Sequence, residues 1–199
     1  MEASRDPTRR ALMTSLAGLS LGGVASTPAT ADESDAKQPG SPILVACFSR
    51  TGNTRIVAGL IRRALGADVF EIRPAAPYPE EYLATVEQAR QERDRGVEPA
   101  LEAKVAGIAG YGTVFLGFPV WGETAPPIVR SFLSAHGLSG KTLVPFVTHG
   151  GYGLGDSEAV VARHAPQALL RSGFSMQADQ ERQTMDRVNG WLRGSPVLR

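Results

Sequence analysis

Three short stretches, ILVACF at 43–48, GTVFLGF at 112–118 and KTLVPFVT at 141–148, are apolar at almost every position instead of at alternate ones. A strand with one wet face alternates, so strands like these must be covered on both sides. That points to a parallel sheet sandwiched between helices. The intervening segments supply the helices. TRIVAGLIRRALG, from Thr54, sets Ile56, Val57, Leu60, Ile61 and Leu65 on one helical stripe, and Gly66 closes it. Residues 80–95 read as a helix with a charged, solvated face. Pro126 and Pro127 suit the first turn of a helix running to about Ala135. DSEAVVARHA starts another, which Pro166 must break, and TMDRVNGWLRG aligns Met185, Val188 and Leu192 on a last one. DVFEI at 68–72 is a second strand and GFSMQA a weak fifth. Strand and helix alternate about five times, which predicts an α/β fold, a three-layer, doubly wound sheet of five parallel strands. Pro145 cannot donate to a ladder and argues for irregular pairing in the fourth strand.

The N-terminal segment differs in kind. A basic start with Arg9 and Arg10, a short Gly/Ser-containing apolar run and Ala29-Thr30-Ala31 ahead of DESD read as an export signal over residues 1–31, of the twin-arginine type. The run is too short to span a membrane. Residues 32–41 then form a flexible leader, and 42–199 the folded domain. This predicts an exported protein, periplasmic or extracellular, without stable membrane insertion. The 199-residue chain has a formal net charge of +1. Residues 1–31 hold three arginines and two acids, so the remainder is neutral. Neither a nucleic-acid surface nor an acidic tail is indicated. Cys47 is the single cysteine, so no intrachain disulfide can form.

In doubly wound sheets, ligands sit beyond the C-terminal ends of the strands. Three loops should meet there. SRTGNT, at 49–54, joins the first strand to the first helix. Its backbone N–H groups, the hydroxyls of Ser49, Thr51 and Thr54, the Asn53 amide and the close approach allowed by Gly52 suit an anion. No lysine follows Gly52, so the P-loop pattern is absent, and GGYGLGD at 150–156 puts Asp156 where a dinucleotide fingerprint needs its last glycine. Ser49 lacks the glycines of a nucleophile elbow. His136, His149 and His164 have no metal-ligand spacing with any carboxylate, so no metal is expected. GFPVWGETAP at 117–126 brings Trp121, and THGGYGLGD at 148–156 brings close glycines and Tyr152. An aromatic wall facing a backbone wall suits a planar heterocycle.

These stretches carry a resemblance. The chain resembles the flavodoxin family over roughly residues 42–193: Ser49, Thr51, Gly52 and Thr54 match its phosphate motif, and P-x-W at 119–121, THGG at 148–151 and YPEEY at 78–82 accompany it. The resemblance implies a short-chain flavodoxin-like sheet of order 2-1-3-4-5 and FMN as cofactor. It places the FMN phosphate on Ser49, Arg50, Thr51, Gly52, Asn53 and Thr54. The ring would lie between Pro119, Val120, Trp121, Gly122 and Glu123 on one side and His149, Gly150, Gly151, Tyr152 and Gly153 on the other, with Tyr78 and Tyr82 at the rim. Gly122 stands where related sequences often have a second aromatic residue, and the neutral charge departs from the acidic habit of electron-carrying flavodoxins. Three functions remain open. One is an exported FMN electron-transfer protein serving a redox partner protein or small electron acceptor. Another is an FMN-dependent NAD(P)H:quinone-type reductase. The third is a cofactor-free binding or hydrolytic domain on the same fold.

Overall fold

The computed structural model describes residues 43–178 and 181–195. The predicted export signal and leader lie outside the described residues. In chain order the elements are β1 (Ile43–Cys47), α1 (Asn53–Leu65), β2 (Asp68–Glu71), α2 (Tyr82–Asp94), a 3-10 turn (Ile108–Gly110), β3 (Thr113–Pro119), α3 (Pro127–Ala135), β4 (Thr142–His149), α4 (Ser157–His164), β5 (Leu169–Leu170), β6 (Phe174–Gln177) and α5 (Glu181–Gly194). Every strand pairing is parallel, and the order is β2-β1-β3-β4, with β5 and β6 both against β4.

The apolar strands are covered on both faces, as their composition requires. Leu44, Ala46, Val114, Leu116, Phe118, Leu143 and Val147 face one layer with Ile128 and Phe132 of α3 and Val160 and Val161 of α4. Val45, Cys47, Phe115, Val144 and Phe146 face the other, with Val57 and Ile61 of α1 and Val188 and Leu192 of α5. Alternate residues of each strand thus feed opposite cores. On α1 the buried stripe is Val57, Ala58, Leu60 and Ile61, whereas Ile56 is 46% exposed on its flank.

The fifth strand position differs from the expectation. It is filled by two pieces, β5 and β6, so the sheet has six strands. Pro145 explains the break. The Arg171 N–H donates to the Leu143 carbonyl at 2.9 Å, so the edges of Leu143, and of Pro145 two residues on, face the fifth position. Pro145 has no N–H to offer there, and the border strand loses its pairing opposite it. Gly173 fits the gap: a Cβ on it would lie 2.5 Å from the Pro145 carbonyl oxygen.

Candidate functional site

β1, β3 and β4 all end at the same rim, and the chain leaving each is tied to its neighbour. The Phe48 N–H donates to Gly117 C=O at 2.9 Å, and the Val120 N–H to Thr148 C=O at 2.8 Å. Across the rim, the hydroxyls of Thr54, at the start of α1, and Thr148, near the end of β4, lie 2.8 Å apart. Both residues are buried. One hydroxyl donates to the other, so the acceptor keeps its own proton for a further partner. Thr148 was not among the site residues expected from sequence; its place in the THGG stretch was the available signal.

The 49–54 loop has the form an anion needs. Gly52 is the N-cap of α1, in the left-handed region at φ 98°, with no side-chain cap and no acid in the first turn. A Cβ on Gly52 would meet nothing within 4 Å, so the backbone is approachable from solvent. The Ser49 hydroxyl accepts from the Arg55 N–H at 3.3 Å, which closes the loop over the helix end. Arg50 donates to the Glu80 carbonyl, a neutral partner, so its charge stays beside the loop. Arg55 instead pairs with Glu71, which also takes Arg73 at 2.7 Å. A phosphate monoester fits this cradle: an uncapped helix start, hydroxyls at its edge and one adjacent cation.

Trp121 is half-buried and lies edge-on to Phe48, 5.1 Å away, and to Tyr78, 5.0 Å away. Tyr78 is fixed in turn by its hydroxyl, which donates to Glu92 at 2.8 Å. Burial, then the Glu92 carboxylate, push the Tyr78 phenol above its ordinary value, so it is a neutral donor. Trp121 therefore turns toward the β1 side of the rim. Tyr152, 88% exposed, projects into solvent at the β4 loop, and Tyr82 is exposed at the start of α2.

The loops that follow β3 and β4 are joined to each other. Trp121 and Thr124 close a tight turn, the Trp121 N–H donating to Thr124 C=O at 3.0 Å, with Gly122 and Glu123 both left-handed at φ 59° and 63°. Glu123 is the one described non-glycine residue with positive φ. Its carbonyl accepts from the Asp156 N–H at 2.9 Å. Gly155 permits that contact, because a Cβ there would sit 1.8 Å from the Glu123 oxygen. Gly151 and Gly153 are also left-handed, and the Gly151 N–H donates to His149 Nδ1 at 3.2 Å. The structure thus brings 49–54, 119–123 and 149–153 to one rim, with Gly155 and Asp156 as a brace that the motif reading did not include.

Cys47, at the end of β1, is not a reactive group. Burial, and then the nearby Glu71 carboxylate, push its thiol up to about 11. Among the described residues no cluster of His, Cys, Asp and Glu could hold a metal ion, and no helix is long and apolar enough to cross a membrane.

A family model described as flavodoxin matches residues 42–194. The chain belongs to the flavodoxin family. Solved relatives agree. A Bacteroides eggerthii protein assigned as a flavoprotein is 34% identical, with a TM-score of 0.68 over 77% of this chain and 97% of that one. Its counterpart from Bacteroides uniformis is 28% identical, with a TM-score of 0.68 over 78% and 99%. A Lactobacillus acidophilus flavoprotein solved in complex with FMN shares 16% identity, with a TM-score of 0.59 over 73% and 99%, a likeness of fold. No curated protein matches the chain. The observed order β2-β1-β3-β4-β5 is the flavodoxin-like arrangement expected from the sequence.

Proposed function

We propose that this flavodoxin-family protein is an electron-transfer flavoprotein. Its cofactor is FMN, and bound FMN supplies the redox chemistry while the chain holds and shields it. The observation that carries this reading is the 49–54 loop, an uncapped helix start opened by Gly52 and pinned to β4 through Thr54 and Thr148. In this reading Ser49, Thr51, Asn53 and Thr54 bind the phosphate and Arg50 offsets its charge. Val120, Trp121, Gly122 and Glu123 border the ring on one side, and residues 149–153 on the other. The packing of Trp121 on Phe48 and Tyr78 gives that border a fixed wall. The visible spectrum of the purified protein tests the assignment: flavin absorption is expected, with the released chromophore identical to FMN. A colourless protein that takes up no added FMN would overturn it and favour a cofactor-free domain.

A second reading, an FMN-dependent reductase of the NAD(P)H:quinone type, draws on a pocket of about 200 Å3 beside Trp121. Val86 and Ala89 of α2 line it, and Arg50, Arg90 and Arg93 stand around it. Its apolar lining suits a small aromatic acceptor. Steady-state oxidation of NAD(P)H with a quinone separates the readings, since a pure carrier gives no turnover. Export through the 1–31 signal belongs to the same proposal. N-terminal sequencing of the protein from the periplasm or medium is expected to begin near Asp32, and full-length protein confined to the cytoplasm would refute it.

A further inference from the structure

A cleft of about 600 Å3 opens on the far side of the 122–124 turn. Three helices send one arginine each to it, Arg93 from α2, Arg130 from α3 and Arg163 from α4; Glu123 and Asp156 are its acids. Three cations thus face two carboxylates. Among the described residues, neither Arg130 nor Arg163 has an ion-pair partner within 4 Å, and the carboxylate near Arg93 is its chain neighbour Asp94, at 3.4 Å.

Arg130 carries the argument. It is half-buried, and its Nη2 donates to Thr124 Oγ1 at 3.3 Å. Its Nε is buried with no hydrogen-bond partner, and the only other such described atom is the hydroxyl oxygen of Ser157, next in chain to Asp156. Burial disfavours its charge. Asp156 favours it from beyond contact range, Arg93 and Arg163 oppose it, and Glu98 favours it more weakly. Leaving a guanidinium among like charges, with a buried donor unmet, is costly. Gly122 contributes to the convergence: a Cβ there would lie 2.5 Å from Arg93 Nη1, so the glycine is what lets Arg93 lie across the turn.

We propose that this cleft is a second anion site, which takes the phosphate group of a small molecule. Three planar donor forks from three helices match a phosphate's several acceptor oxygens better than the two of a carboxylate. None of the cleft residues belongs to the 49–54 loop, so the site is separate from the FMN phosphate cradle and does not depend on the FMN reading. Because Gly122 and Glu123 line both the cleft and the turn that follows Trp121, a ligand here would sit directly against the ring loop.

Calorimetric titration of inorganic pyrophosphate into the full-length protein, saturated with FMN, tests this. One pyrophosphate per chain is expected. Arg163→Gln, an exposed and fold-neutral change, and Arg130→Gln should each weaken it at least tenfold, with citrate binding at least tenfold more weakly than pyrophosphate. The variant comparison holds whether or not FMN is retained. No binding overturns the site. Binding that both variants leave intact places the anion outside this cleft and overturns it too. Citrate binding as tight as pyrophosphate overturns the phosphate assignment.

Discussion

Thr54 and Thr148 form the smallest unit on which the rim depends. Their shared hydrogen bond is buried, so Thr148→Val leaves the Thr54 hydroxyl without its partner, at about 1–3 kcal/mol. FMN affinity should fall roughly five- to tenfold, about 1–1.4 kcal/mol, in a fluorescence-quenching titration; unchanged affinity would remove the pair from the site. His136 is the residue that should report acid. Its Nδ1 bonds to Phe132 C=O at 2.8 Å, and its Nε2 accepts from the Val105 N–H at 3.0 Å. Accepting at Nε2 makes the ring neutral, with the proton on Nδ1. Burial lowers its pKa below 6.5, the Phe132 carbonyl opposes that, and Lys104 adds to it. The unfolded chain therefore binds the proton more readily, and the contribution of His136 to stability is complete above pH about 6.5 and lost as pH falls through the lower folded value. His136→Leu should flatten this acid dependence in denaturant melts, while costing about 1–3 kcal/mol at neutral pH for the Val105 N–H left unpaired. Neither role could be read from sequence. Two threonines 94 positions apart, and a histidine paired with a backbone amide 31 positions away, become partners only in the folded chain.

Elements were more legible than contacts. The doubly apolar strands and the stripe on α1 required a sheet covered on both sides, and the folded chain has one. Ile56 missed the buried stripe because helical periodicity does not say where the stripe's centre falls. The fifth strand was only weakly legible, since its interruption comes from the Pro145 edge it faces, across which the pairing with β4 shifts by one residue. At the rim, the three loops could be placed from the strand ends they follow. The brace through Gly155 could not, because its reason is a carbonyl 32 residues earlier in the chain. Gly155→Ala would force a Cβ to 1.8 Å from the Glu123 oxygen and hold a left-handed φ of 54°. It should lower stability by about 2 kcal/mol or more and weaken FMN binding along with it, because the turn after Trp121 must move. A melt within 1 °C of the wild type, about 0.3 kcal/mol or less for a domain of this size, would mean the loops are not coupled.

At the scale of the whole molecule, charge separates this protein from carriers that find their partners by electrostatic attraction. The chain has a formal net charge of +1 and is neutral without residues 1–31. Long-range steering should therefore be weak, and rates of electron exchange with cationic and anionic acceptors should change less than about threefold between 10 and 200 mM salt in stopped-flow traces. A tenfold or larger drop with one sign of acceptor would reveal a local field that the total conceals. The cleft of Arg93, Arg130 and Arg163 is where such a field would arise. The proline in the middle of β4 has a further consequence for the molecule's behaviour in crowded solution. By cutting the strand at one edge of the sheet into pieces of two and four residues, it denies a neighbouring molecule, at that edge, the unbroken row of amides and carbonyls on which edge-to-edge aggregates grow.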